Sequence, residues 1–182
     1  MNPASIAQNP NLRQTPSQTV GPYFAYGLTP EQYLFDFKSL INNQLSNQND
    51  GNTFVISGKI YDGNEEVIHD AMIELWDAES NLFGRFGTGT EQGNQFLFHV
   101  QKPKSINGQA PYFSVILFMR GQLIHSYTRI YFSDEEVLNS QDETLLLIPT
   151  ERRNTVIAQK IGTNYEFDIY MQGKKETVFF EV

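Results

Sequence analysis

From residue 53 onward, apolar and polar residues alternate in short stretches bounded by turn sequences, the period-two pattern of half-buried strands. Thr53–Tyr61 is a strand candidate closed by the turn Asp62-Gly63-Asn64. Ala71–Trp76 sets Ile73 and Leu75 against Met72, Glu74 and Trp76, and Gln95–Val100 lines up Phe96, Phe98 and Val100 on one face. Tyr112–Met119 is nearly continuous in apolar residues, which suits a strand covered on both sides. Arg120-Gly121-Gln122 makes a tight turn, and Leu123–Phe132 returns as the second arm of a hairpin. Ser133-Asp134-Glu135-Glu136 reads as a capping box opening a short helix with Val137 and Leu138. Thr155–Gln159, Asn164–Met171 and Thr177–Val182 read as three closing strands, the last preceded by the turn Gly173-Lys174-Lys175. The glycine-rich stretch Gly84–Gly93 reads as a loop between strands. Strands recurring about every 10 residues, with little helix, predict an all-β chain. The expected form is an antiparallel β-sandwich of about eight strands, with an extended N-terminal arm and one or two short helices. No internal repeat or heptad is present.

Ahead of this pattern the composition changes twice. Residues 1–20, with Pro10, Pro16 and many amides, read as an arm. Residues 21–52 open with Gly21-Pro22-Tyr23-Phe24, pass through the aromatic run Tyr33–Phe37 and end in an amide-rich link. That run is expected to serve an interface or core packing. Residues 53–182 form the sandwich domain. At 182 residues the chain is long enough for one sizeable core. A net charge of −8 argues against sequence-independent nucleic-acid binding, which needs a basic surface. The absence of cysteine removes disulfides, thiolate metal sites and thiol nucleophiles together. No apolar run reaches the roughly 18 residues of a membrane span, and Met1–Gln18 lacks the apolar segment of a secretory signal. A cytoplasmic protein without nucleic-acid or membrane partners is expected.

Local chemistry is sparse. His69, His99 and His125 are far apart and form no ligand pair, so locally satisfied strand and loop residues are expected. Neither the Gly-x-Ser-x-Gly elbow of serine hydrolases nor a phosphate-binding P-loop occurs. The pairs Glu65/Glu66, Glu135/Glu136, Arg152/Arg153 and Lys174/Lys175 read as solvated turns, caps or surface. Arg129 differs, because it sits within an apolar strand between Tyr127 and Tyr131. A charge there needs a partner: a carboxylate of the fold, a partner chain or an anionic ligand. An ion pair within the fold ranks slightly ahead of a ligand site.

Thr15-Pro16-Ser17-Gln18-Thr19-Val20-Gly21-Pro22-Tyr23 resembles the T-P-x-Q-T-x-G-P-[YF] signature of the intradiol ring-cleavage dioxygenases. Four segments support it in the right order: Gly58–Gly63, Ile73–Ala78, Tyr127–Phe132 and Glu176–Glu181. The resemblance runs from about Thr15 to the C-terminus and is greatest to the α chains of two-chain members that act on protocatechuate (3,4-dihydroxybenzoate). It implies a β-sandwich and oxidative cleavage of a catechol ring between its hydroxyl-bearing carbons, at a non-haem Fe(III) held by two Tyr and two His. By alignment the two His positions fall on Tyr112 and Ser114, one Tyr position on Ile106, and the other on Phe83 or Gly84. All four ligands are therefore expected to be lost, and no catalytic or metal-binding residue is expected on this chain. The resemblance implies that a homologous β chain binds the Fe(III), and that this chain completes the pocket for protocatechuate and O2 in an αβ hetero-oligomer. It places Thr19, Gly21, Pro22, Tyr23 and Arg129 around that substrate. Gly21 lets backbone approach closely, Pro22 stiffens the loop, and Arg129 offers a planar fork to a carboxylate or to a β-chain charge. A rigid turn docking the arm is the competing reading of residues 19–23. Two alternatives for the whole chain are a non-catalytic sandwich that binds or scaffolds, and a self-sufficient dioxygenase with a relocated metal site.

Overall fold

The computed structural model describes residues 26–46, 52–77, 79–89 and 93–181. Among the described residues eleven strands are formed, beginning with β1 (Gln44–Leu45), β2 (Phe54–Gly58), β3 (Ile60–Tyr61), β4 (Met72–Asp77), β5 (Leu82–Gly87) and β6 (Phe96–Val100). The remainder are β7 (Phe113–Phe118), β8 (Ser126–Phe132), β9 (Ile157–Ile161), β10 (Asn164–Glu166) and β11 (Ile169–Tyr170). Two short helices, α1 (Glu136–Asn139) and α2 (Glu143–Leu147), follow β8, and 3-10 turns span Pro30–Tyr33 and Thr150–Val156. Among the described residues no helix is long and apolar enough to cross a membrane.

The all-β architecture is the one the alternation implies, but its pairing is mixed. Nine strands form one sheet in the order β1-β6-β2-β10-β9-β8-β7-β4-β5, and β3 with β11 forms a small second sheet. The pairs β1/β6, β2/β10, β8/β9 and β3/β11 run parallel, the others antiparallel. The large sheet nearly closes on itself. The backbone N–H of Arg85, on edge strand β5, donates to the Asn42 carbonyl beside edge strand β1 at 2.9 Å. Inside lies a core that includes Leu45, Ile56, Leu75, Phe96, Phe98, Phe113, Leu117, Ile130 and Phe132, all fully buried.

Three expectations are corrected. Leu82–Gly87 is a strand, where the glycines of Gly84–Gly93 suggested a loop. A Cβ at Gly84 would run into Leu45, and one at Gly87 would meet Thr29 Oγ1 at 2.5 Å. These glycines permit close packing at the seam rather than chain flexibility. The capping box does not form: Glu135 caps α1 without a side-chain bond, and Ser133 Oγ instead accepts from Lys160 N–H at 3.0 Å. The true side-chain cap is Asp142, which accepts from Leu145 N–H at the start of α2. Thr177–Glu181 is an extended tail, not a ladder strand; Phe180 N–H donates to the Tyr127 carbonyl at 2.8 Å and Thr128 Oγ1 to the Val178 carbonyl at 2.7 Å. Of the two roles expected for the run Tyr33–Phe37, an interface suits the exposed Leu34, Phe35 and Phe37, whereas Tyr33 tucks in, donating to the Ala71 carbonyl at 3.4 Å.

Candidate functional site

The hairpin β7–β8 positions the site. Along β8, Thr128, Ile130 and Phe132 turn into the main core, so Tyr127, Arg129 and Tyr131 share the opposite face. Register places Ser114 opposite Arg129 and Ile116 opposite Tyr127, and one strand further on Trp76 opposite Ser114. A second apolar cluster covers this face: Ala110, Tyr131, Leu145, Ile148 and Val156, with Tyr112, Val178 and Phe180 packed against it. Residues from β7, β8, α2 and the C-terminal tail thus converge around one guanidinium.

Arg129 is half-buried, and no carboxylate among the described residues lies within 4 Å of it. The ion pair within the fold, ranked ahead of a ligand site on sequence grounds, is therefore not found among the described residues. The guanidinium carbon lies 4.1 Å from the centre of the Tyr112 ring and 5.7 Å from that of Phe180. Such faces hold a cation through ring electrostatics without neutralising it. Arg129 Nη1 donates to Tyr131 Oη at 3.1 Å and to Thr144 Oγ1 at 3.2 Å, and Nε is buried without a partner. Burial opposes the charge, but the Tyr131 hydrogen bond and the surrounding phenols hold the Arg129 pKa above its usual value. Tyr131 is fully buried, and this pushes its phenol up to about 12 against the pull of Arg129. It stays protonated near neutral pH and donates to Asp142 Oδ1 at 3.3 Å. Asp142, also fully buried, accepts from Leu145 N–H and Ala110 N–H, both at 2.9 Å.

The positions that the family resemblance assigns to iron ligands gather on the same face. Ile106 and Tyr112, with Trp76, Lys104 and Ala110, line a cleft of about 80 Å³. Ser114 Oγ lies 3.0 Å from Tyr127 Oη. Phe83 packs edge-on against Trp76, with centroids 5.9 Å apart, whereas Gly84 is buried at the closing seam. The alternative Phe83 or Gly84 thus resolves to Phe83 as the residue on this face. These side chains do not fit a ferric ion: Ile106 and Phe83 carry no donor atom, and one phenol and one hydroxyl are all that Tyr112 and Ser114 offer. His99 lies on β6 beside the β1 edge, His125 packs against Phe118 at the β7–β8 turn, and His69 is exposed before β4; the structure does not bring them together.

Of the five predicted pocket residues, Arg129 is on this face, while Thr19, Gly21, Pro22 and Tyr23 lie outside the described residues. Sequence reasoning missed Asp142 and Thr144. The signal was there, because Asp142 precedes Glu143 and the apolar run Leu145–Leu147 as an N-cap should. It also missed the packing of Phe180 on Arg129, which no local pattern announces.

No family model matches the chain. The dioxygenase domain of a dioxygenase–carbohydrate-binding protein fusion from Streptomyces sp. SirexAA-E superposes with a TM-score of 0.57, at 19% identity, over 87% of this chain and 97% of that one. An intradiol ring-cleavage dioxygenase from Tetranychus urticae gives 0.57 at 13% identity, over 79% and 91%. The fold is that of the intradiol ring-cleavage dioxygenases. Two curated relatives narrow this. The protocatechuate 3,4-dioxygenase alpha chain of Burkholderia cepacia is 42% identical over 194 aligned residues, covering 94% of this chain and 98% of the relative. That of Pseudomonas putida is 36% identical over 196, covering 93% and 97%. The chain belongs to the family of protocatechuate 3,4-dioxygenase alpha chains.

Proposed function

We propose that this chain is the iron-free subunit of a hetero-oligomeric, cytoplasmic protocatechuate 3,4-dioxygenase. A homologous β chain holds the Fe(III), and this chain closes one wall of the substrate pocket. The ring-opening chemistry, in which both atoms of O2 enter 3,4-dihydroxybenzoate to give 3-carboxy-cis,cis-muconate, then belongs to the partner. This chain binds and orients. The observation that carries the reading is Arg129, a half-buried cation with no carboxylate beside it among the described residues, on the face where the aligned iron-ligand positions hold no fitting donor set. A guanidinium kept charged by phenols and ring faces is suited to receive the substrate's carboxylate. Thr19, Gly21, Pro22 and Tyr23 complete that wall in this reading, on the strength of the signature they belong to.

The test is to purify the chain alone and co-expressed with a candidate β chain, then measure bound iron and protocatechuate-dependent oxygen uptake. The lone chain should be iron-free and inactive, and the pair iron-loaded and active. In the pair, Arg129→Ala should lower kcat/KM for protocatechuate by about 100-fold while leaving iron content unchanged. A lone chain that binds iron and turns over catechols would overturn the assignment. A chain that never pairs would return it to a non-catalytic sandwich module.

A further inference from the structure

Arg129 is aimed as well as kept charged. Its Nη1 is taken by two neutral oxygens, Tyr131 Oη and Thr144 Oγ1, and Tyr131 is in turn tied to Asp142. Asp142 is anchored to two backbone N–H groups that belong to separate segments, Ala110 before β7 and Leu145 in α2. The chain Asp142–Tyr131–Arg129 therefore links a buried carboxylate, held by two backbone N–H groups, to the guanidinium through one phenol. Tyr112 and Phe180 restrict the guanidinium from the ring side. Nε is buried, so Nη2, which makes no hydrogen bond among the described residues, is the donor left for an anion.

We propose that Tyr131 and Thr144 are positioning residues for recognition of the substrate's carboxylate, fixing Nη1 of Arg129 so that Nη2 is held free for an anion. A carboxylate in their place would aim the side chain equally well but would form an ion pair with it and compete with substrate. A phenol backed by Asp142 aims it and leaves the charge available. This rests on the reading of Arg129 as the group that meets the substrate's carboxylate.

The test uses the assembled αβ enzyme and two substrates, protocatechuate and catechol, which is the same ring without the carboxylate. Tyr131→Phe keeps the ring and its packing and removes only the hydroxyl; Thr144→Val does the same for the second acceptor. Tyr131→Phe should raise KM for protocatechuate by about tenfold, with kcat and the constants for catechol within about twofold of wild type. Thr144→Val should shift the same ratio by a few-fold, about threefold. A merely structural role would depress both substrates together, and that outcome overturns the proposal, as does an unchanged preference in both variants. Arg129→Ala separates the two levels. If it fails to discriminate between protocatechuate and catechol, the reading of Arg129 falls and the positioning roles fall with it. If it discriminates and Tyr131→Phe does not, only the positioning roles fall.

Discussion

Arg85 and Arg129 lie on the same outer face of the large sheet, separated by strands β4 and β7, and their surroundings treat the charge in opposite ways. Arg85 is neutralised directly: its Nε and Nη2 reach Glu74 Oε1 at 2.8 and 2.6 Å, with the Phe83 ring alongside at 5.6 Å. Arg129 has ring faces and two neutral oxygens, and Asp142 reaches it only through the Tyr131 hydroxyl. Both side chains are partly buried within the same strand framework, so burial alone does not dictate a paired charge. The first arrangement consumes the cation to hold β4 and β5 together. The second leaves the cation without a counter-charge among the described residues, and that difference is the physical ground on which we propose a ligand role for Arg129 and a structural one for Arg85.

The largest effect is expected from turning the second arrangement into the first. Ser114 sits directly across from Arg129 on β7, close enough for a short carboxylate to reach the guanidinium. Ser114→Asp in the assembled enzyme should form the missing ion pair and lower kcat/KM for protocatechuate by about 30-fold, with catechol little affected. Equal losses on both substrates would show that the change merely disturbs the face, and the contrast with Arg85 would lose its functional meaning.

The converse substitution removes the carboxylate from Arg85. Glu74→Gln leaves a mostly buried guanidinium without its counter-charge, and the Glu74 and Arg85 side chains are only 13% and 18% exposed. A loss of about 2 kcal/mol in unfolding free energy is expected in chemical denaturation, with substrate kinetics of the assembled enzyme unchanged. If stability holds and substrate preference shifts instead, the structural and ligand roles have been assigned to the wrong arginines.

How far this contrast could be read in the sequence follows from which contacts are local. The alternation Tyr127, Arg129, Tyr131 places three residues on one face by spacing alone, and the apolar run Tyr112–Met119 marks the partner strand. Strand β5 was hidden because its glycines look like loop residues; their use is visible only once Leu45 and Thr29, from distant segments, are packed against them. Parallel pairing was equally hidden, since period-two alternation marks a face and not a direction. For Arg129, the strand pattern showed that a partner was needed but not which kind. Thr144 and Asp142 come from α2 and its cap, and Phe180 from the C-terminal tail, and only tertiary packing brings them to the guanidinium.

Asp134 is the third case, and it sharpens the comparison from the side of the anion. The sequence places it inside an apparent capping box, yet the fold makes it the centre of an ion cluster. Lys102 Nζ and Lys160 Nζ each reach it at 2.8 Å, and Tyr165 Oη donates to both of its oxygens at 2.8 Å. Burial works against its charge, but the hydrogen bonds from Lys102, Lys160 and Tyr165 outweigh that and hold its carboxyl well below the usual range. A depressed carboxyl pKa contributes stability that is fully present above the ordinary value of 3.8 and is lost as pH falls through the folded-state value. Wild-type stability should therefore drop below about pH 4 in part through Asp134. Asp134→Asn should cost about 1 kcal/mol near neutral pH, a modest figure because the cluster is partly open to solvent. The gap should narrow as pH falls below 3.8, where the carboxyl of the unfolded chain is protonated and folding has to release that proton. Denaturant midpoints at neutral and acid pH measure this, and two curves that stay parallel would show that the cluster contributes nothing through its charge. The Arg129 arrangement contains no such exposed carboxylate: its acidic member, Asp142, is buried and bound to two backbone N–H groups. Substrate preference should consequently be insensitive to Asp134→Asn, which separates the charge that stabilises the fold from the charge proposed to meet a ligand.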